Sequence, residues 1–273
     1  MSEKYQRFNL VDEKTEFLVL KAKLQKYCDI LIDKNNDPKM SEKYQLFNLI
    51  EGSSENVPLE ICALRKLNGI PGVIQLLDWH KRSDDYVIVM ECPKPSIDLF
   101  DFINNNGTLS ELVARNFFIQ ILDTISACVN AGIIHNDIKD ENIIVNTETN
   151  QLKIIDFGSA IHYSASDFTE FNGTTQYAPP EWFISHSYNG MAATVWTMGL
   201  TLHAMVYGDI PYARVEQIVE NNLTLREGVS RDCQSLIRLC LSSDPDTRPN
   251  FDEIAAHPFL AKKAALTPIQ DYI

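Results

Sequence analysis

The sequence predicts an α+β chain of two unequal lobes: a small, mostly β N-lobe and a larger, mostly α C-lobe around a cleft. Three observations predict it. Strand-like apolar runs occupy much of the first ninety residues, and runs at helical spacing dominate beyond Asp98. Between them stands Glu91-Cys92-Pro93-Lys94-Pro95; two prolines this close cannot continue a sheet and make a stiff connector. A length of 273 residues suffices for one large domain or two lobes.

Taken in order, Phe17–Leu24 and Tyr27–Ile32 read as strands, followed by a turn at Asn35-Asn36-Asp37-Pro38. No glycine occurs before Gly52. Met1–Leu10 and Met40–Leu49 are near-copies that differ only at Arg7 and Leu46. Two copies are too few for a solenoid, so a local duplication or an artefact of the gene model is the reading. Pro58 opens a helix, where its missing N–H would be unpaired anyway. Leu59, Cys62, Ala63 and Leu67 form its expected buried face, with Arg65 and Lys66 outside. Val73–Trp79 and Tyr86–Met90 read as strands around the polar turn Lys81–Asp85.

Asp98–Asn104 reads as a short helix, and Ser110 is a good N-cap for a long one to about Asn130. Phe117, Ile121, Ile125 and Cys128 recur at helical spacing and predict its core face. Ala193–Tyr207 is apolar on most sides and predicts a central buried helix. Helices near Val215–Asn221 and Arg231–Leu241 follow, and a last short one ends near Phe259. The resulting division is 1–51 an atypical N-terminal segment, 52–91 the rest of the N-lobe, 92–97 the hinge, 98–260 the C-lobe and 261–273 a tail.

The formal net charge of -13 argues against nucleic acid or an anionic membrane as main partner. It is compatible with basic peptide segments. Six cysteines are scattered with no C-x-x-C pair, which reads as buried free thiols in a reducing compartment. No charged-then-apolar leader opens the chain, and no apolar run of about 18 residues is expected to span a membrane. A cytoplasmic protein, with the nucleus left open as a second compartment, and a monomer are the expectations.

The chemistry concentrates between His135 and Gly158. There the chain reads His135-Asn136-Asp137-Ile138-Lys139-Asp140-Glu141-Asn142, then an apolar hairpin, then Asp156-Phe157-Gly158. Asp137 and Asn142 share one loop, and the return strand delivers Asp156 to the same place. Two carboxylates and a carboxamide supply the hard oxygen atoms that suit Mg²⁺ together with phosphate oxygens. This is the site layout of protein-kinase phosphoryl transfer. Taken singly, each Asp would read as a turn former or a solvated surface charge; the joint spacing carries the signal.

From Val57 to Phe259 the chain resembles a eukaryotic serine/threonine protein kinase, and within that group it is most similar to the PIM family. The general marks are HNDIKDEN, DFG, the block GTTQYAPPE and Arg248. The narrower marks are the hinge ECPKP, IDLFDFI, YAPPEW, TVWTMG with Thr194 where most kinases have Asp, and GDIPY. The resemblance implies the bilobal protein-kinase fold, ATP and Mg²⁺ as cofactors, and protein substrates. It implies Asp137 as catalytic base or hydroxyl-positioning group, Lys139 on the transferring phosphate, and Asn142 and Asp156 on Mg²⁺. His135 and Phe157 would stack in the core, Thr174 would bond near Asp137, and Glu181 with Arg248 would form a buried ion pair. Glu60 would pair with the ATP-positioning lysine, Met90 would be the gatekeeper, and Glu91 and Ile155 would border the adenine. Asp98, Asp101, Glu141 and Asp209 would face basic substrate residues, although Arg214 stands where that family tends to be acidic.

Two departures stand out. Asn136 replaces the motif's arginine. In place of a glycine-rich loop stands Val19–Lys26, VLKAKLQK, and V-A-I-K is missing. Lys43 is the first candidate for the pairing lysine, with Lys39, Lys21 and Lys23 behind it. Three function classes follow: a serine/threonine protein kinase; a pseudokinase acting as binding or scaffold module; and a small-molecule phosphotransferase, against which Lys139 and the GTTQYAPPE platform argue.

Overall fold

The computed structural model describes residues 46–48, 56–81 and 86–261. The expected strands at 17–24 and 27–32, the turn at 35–38, residues 82–85 of the polar turn, and Lys43 with the three other candidate lysines lie outside the described residues. In what is described, a strand-rich N-terminal part precedes a helical C-terminal part, the α+β division that the sequence predicts.

β1 (Leu46–Asn48) pairs antiparallel with β2 (Asn56–Pro58), which runs straight into α1 (Leu59–Lys66). Pro58 is the N-cap residue of α1. The buried face of this helix is Ile61, Ala63 and Leu64; Leu59 and Cys62, expected inside, are half-buried. The reason is that α1 is packed by the β1–β2 pair and also by β3 (Leu76–Lys81), so its covered stripe is rotated from the one that spacing alone suggests.

β3 pairs with β4 (Tyr86–Met90) around a bulge between Leu76 and Asp78. β3 starts later than Val73 because the preceding residues are drawn elsewhere. Val73 forms a parallel bridge with Ile154, and the Gln75 side-chain amide donates to the Ile70 and Val73 carbonyls. The connector is Glu91–Pro95. β5 (Ser96–Asp98) already belongs to the C-terminal sheet, in the order β5, β7 (Ile143–Asn146), β8 (Leu152–Ile154).

In the C-lobe, Asp98 caps α2 (Leu99–Asn106), and Ser110 caps α3 (Glu111–Asn130) through the Val113 N–H. By length and hydropathy α3 is apolar enough to cross a membrane, contrary to the expectation of no such run. Its apolar residues are explained by packing: Phe117, Phe118, Ile121 and Ile125 sit in the lobe's core. A two-stranded ribbon, β6 (Ile133–Ile134) with β9 (Ile161–His162), flanks the catalytic stretch. α4 (Pro180–Ser185), α5 (Gly190–Tyr207), α6 (Val215–Glu220), α7 (Arg231–Cys240), α8 (Phe251–Ala255) and α9 (Pro258–Ala261) complete the lobe. α5 is buried along nearly its whole length, as its composition predicts.

Candidate active site

The hairpin explains how the site is assembled. Ile143 stands opposite Ile154 and Val145 opposite Leu152, all buried. This register fixes where the loop before β7 and the turn after β8 emerge. One further backbone bond, Ile155 N–H to the Asn142 carbonyl at 2.9 Å, ties the two exits together.

His135 holds the frame. Its Nδ1 accepts the Asp137 N–H at 3.2 Å, which leaves Nε2 to donate to the Ile155 carbonyl at 2.9 Å. Burial keeps this imidazole below its ordinary pKa, against the pull of the Ile155 carbonyl and the two aspartates. Its ring meets Phe157 edge-on at 4.6 Å between centroids, the packing partner expected for it.

Asp137 is buried, and both its carboxylate oxygens accept hydrogen bonds. The Thr174 N–H donates to Oδ1 at 2.7 Å, and Asn142 Nδ2 donates to Oδ2 and to the Asp137 carbonyl, both at 2.9 Å. Lys139 Nζ lies 3.1 Å from Oδ2, 3.4 Å from Glu141 and 2.5 Å from Thr174 Oγ1. Burial raises the Asp137 pKa, but Lys139 and the Thr174 bonds outweigh it and hold the group below the usual carboxylate range. It is therefore an anion at neutral pH, able to accept a hydroxyl hydrogen or fix its direction.

Asp156 adopts the left-handed backbone, φ 65°, and its Oδ1 accepts the Gly158 N–H at 3.2 Å. The donor set fits Mg²⁺. Both bonds from Asn142 use its amide nitrogen, so its carboxamide oxygen remains for a hard cation, as does the second Asp156 oxygen. Among the described residues no group of three or more His, Cys, Asp or Glu forms a self-sufficient metal cage. An ion that takes few protein ligands plus phosphate oxygens matches that donor set.

The adenine side is partly visible. Met90 ends β4 and packs against the core, and Ile155 is buried just before Asp156. Glu91 differs from a side-chain ligand: its carboxylate is 2.8 Å from Lys153 Nζ and accepts the Gln75 N–H at 3.0 Å. Its own N–H goes to the Gln75 carbonyl, so its backbone carbonyl is the group left for adenine. Two residues on, Pro93 has no N–H to donate.

Glu60 comes close to Asp156. A Cβ built on Gly158 would stand 3.1 Å from Asp156 Oδ1 and 3.8 Å from Glu60 Oε2. Although the residue as a whole is half-exposed, burial of its carboxyl, with Asp156 adding repulsion, pushes its pKa up to about 8. A raised carboxyl pKa means the folded chain binds the extra proton, so stability falls as pH rises from the unfolded value to about 8. Glu60→Gln is thus expected to gain melting temperature over the parent across that window and to level off above it. A difference that stays flat from pH 5 to 9 would show a cation on this carboxylate that the described residues do not supply, as the Lys43 pairing requires.

Glu181 and Arg248 form the expected ion pair, bidentate at 2.8 and 2.6 Å, with the arginine side chain 1% exposed. Of the four acids expected to face a basic substrate, three already have protein partners. Asp98 caps α2, Glu141 meets Lys139, and Asp209 lies 3.3 Å from Arg226. Asp101 is exposed. Sequence reasoning missed two tyrosines: Tyr177 donates to Asp140 at 3.0 Å, and the Tyr188 hydroxyl lies 3.1 Å from the Asn136 carboxamide. No spacing rule joins residues 37 or 52 positions apart.

Known proteins give the chain its family. The sequence pattern of the protein kinase domain matches residues 19–260. The chain belongs to the protein kinase family. The serine/threonine-protein kinase pim-2 of Danio rerio is 42% identical over 216 residues, covering 76% of this chain and 70% of that protein. The serine/threonine-protein kinase prk-2 of Caenorhabditis elegans is 40% identical over 215 residues, covering 77% of this chain and 49% of that protein. The PAS domain-containing serine/threonine-protein kinase of Mus musculus is 32% identical over 211 residues and is covered over 15% of its length. This kinase domain is accordingly of the eukaryotic, ATP-dependent serine/threonine type. Several of its relatives are far longer than the part it matches.

Proposed function

We propose that this kinase transfers the γ-phosphoryl group of ATP to serine or threonine of protein substrates, with PIM-like selectivity. Asp137 orients the substrate hydroxyl and takes up its proton. Lys139, now turned onto Asp137 and Thr174, reaches the transferring phosphate. Asn142 and Asp156 hold Mg²⁺, which supplies charge neutralisation on the phosphate oxygens when bound. Lys43 is the lysine that would reach the phosphates, its pairing with Glu60 being what the Glu60→Gln melts decide, while Met90, the Glu91 carbonyl and Ile155 border the adenine. The observation that carries this reading is the Asp137 carboxylate, ionised, buried and aimed by the Thr174 N–H and the Asn142 amide. The five described cysteines are free thiols, which supports a cytoplasmic setting. A metal-dependent assay against a library of basic and neutral peptides tests the proposal; no transfer to any peptide with Mg·ATP would sink it.

A second reading, a pseudokinase that binds partners, is favoured by the missing glycines in Val19–Lys26 and the missing V-A-I-K. A neutral hydrogen bond is worth about 0.5–1.5 kcal/mol net and a charged one about 1.5–3. Losing several phosphate contacts, and one adenine donor at Pro93, costs several powers of ten in affinity at 1.4 kcal/mol each. Weak Mg·ATP binding is therefore expected, with slow turnover or none. Calorimetry on the chain and on Lys43→Ala decides: micromolar or tighter binding that drops without Lys43 removes the pseudokinase reading.

Activation-segment phosphorylation is expected not to be an absolute switch for this enzyme. The arginine that would pair with a phosphate is Asn136, which carries no charge. Phosphatase treatment should leave an established activity in place; its abolition would refute the point.

A further inference from the structure

Asn136 sits directly before Asp137 in the left-handed region, φ 63°, which asparagine tolerates better than most side chains. It is buried, and its Nδ2 has no hydrogen-bond partner among the described residues. Facing it is Tyr188, 1% exposed, whose hydroxyl lies 3.1 Å from Asn136 Oδ1 and 3.2 Å from the Glu170 carbonyl. A hydroxyl has one proton and cannot donate to both. Turning the Asn136 carboxamide by 180° resolves this, since its O and N are nearly interchangeable in shape. Nδ2 then donates to Tyr188 Oη, and Tyr188 donates to Glu170 O. The result is a directed chain from the catalytic loop to the activation segment.

Tyr188 grips that segment in other ways too. Its backbone exchanges two hydrogen bonds with Phe168, at 2.9 and 3.0 Å. Its ring lies 5.7 Å from Phe168, 5.4 Å from Phe171 and 6.0 Å from Trp182. Asp167, Thr169, Glu170 and Asn172 around these anchors are exposed. Two residues past Phe171 the segment passes so close to the catalytic loop that a Cβ on Gly173 would stand 2.5 Å from the Asn136 carbonyl. Thr174 then delivers its N–H to Asp137.

We propose that Tyr188 is a positioning residue: through Asn136 and Glu170 it clamps the activation segment onto the catalytic loop with neutral bonds, in the place of an arginine–phosphate pair. The proposal rests on the phosphoryl-transfer reading for its effect on rate, but the clamp itself is testable without turnover. Tyr188→Phe keeps the ring among Phe168, Phe171 and Trp182 and removes only the hydroxyl. Asn136→Gly removes the carboxamide and adopts φ 63° without strain.

Amide hydrogen exchange on the full chain without nucleotide is the first measurement. Tyr188→Phe and Asn136→Gly should each speed exchange across 168–174 while α3 and α5 keep their protection. Unchanged exchange in that segment overturns the clamp, whether or not the wild type is active. In the active enzyme each variant should lower kcat roughly tenfold, the loss of one hydrogen bond, with KM for ATP unchanged. The double variant should be no slower than the worse single one. Losses that multiply would show that the two residues act separately and would also overturn the proposal. A wild type without transferase activity, with faster exchange in the variants, keeps the clamp and rejects the transferase reading.

Discussion

Asp137→Asn is expected to lower phosphoryl transfer by about 10²–10⁴-fold, the range for a positioned acid–base group, with little change in melting temperature. The amide that replaces the carboxylate still offers one oxygen to the Thr174 N–H, the 2.7 Å bond that fixes the loop. What disappears is the anion beside Lys139, the oxygen that accepts the Asn142 amide, and the acceptor for a substrate hydroxyl. Folding should hold because the loop is also kept by His135, which bonds the Asp137 N–H and the Ile155 carbonyl. The pH dependence follows with its sign. A depressed carboxyl pKa contributes stability above the unfolded value of about 3.9 and loses it as pH falls through the folded value. The acid limb due to Asp137 therefore lies below the ordinary Asp range. Stopped assays of parent and variant on one peptide check the rate, and melts of both at acid pH check the stability limb; full activity in the variant would remove Asp137 from the chemistry.

The largest loss of stability is expected from Arg248→Ala. This guanidinium is almost wholly buried. It donates twice to Glu181, once to the Ala192 carbonyl at 3.0 Å and once to the Ser242 carbonyl at 3.0 Å. Its face lies 5.0 Å from the Trp196 ring, which adds a cation–π contact. Removing one partner of a buried pair strands the other charge and costs about 3–5 kcal/mol. For a domain of this size that corresponds to a fall of roughly 10 °C in Tm. Arg248→Lys should recover only part, because a point ammonium cannot fork onto a carboxylate and also reach two carbonyls. Urea melts of the three proteins measure it; an Arg248→Ala midpoint at the parent value would show the pair to be dispensable.

Much of this was legible in the sequence where a local rule coincides with a structural need. Ser110 precedes a helical apolar stripe and does cap α3. Ile143, Val145, Leu152 and Ile154 alternate, and they do pair across the hairpin that brings Asn142 and Asp156 together. The rule fails where distant chain intervenes. Val73 is β-branched and apolar, yet its backbone serves Ile154, 81 positions away, and β3 begins only at Leu76. Leu59 and Cys62 fit a helical stripe, yet two neighbours instead of one select Ile61 and Leu64. Glu91 reads as a hinge side chain, yet Lys153 from β8 claims it from behind. Tyr188 was invisible because nothing in SYNG, read locally, points back to Asn136.

α5 carries a consequence for how the protein is made. From Ala193 to Tyr207 every residue is buried, so this helix has no side that water would wet. Thr194, Thr197 and Thr201 turn their hydroxyls onto carbonyls of their own helix, which satisfies those three groups without outside partners. Such a segment gains nothing by forming early and alone. It has to be enclosed by α7 and the other C-lobe helices as it folds, and until α7 has left the ribosome its apolar surface stays uncovered. Nascent chains stopped between Tyr207 and Arg231 should therefore be the sticky ones, and those that extend past Ala261, with Arg248 placed on Glu181, should be less so.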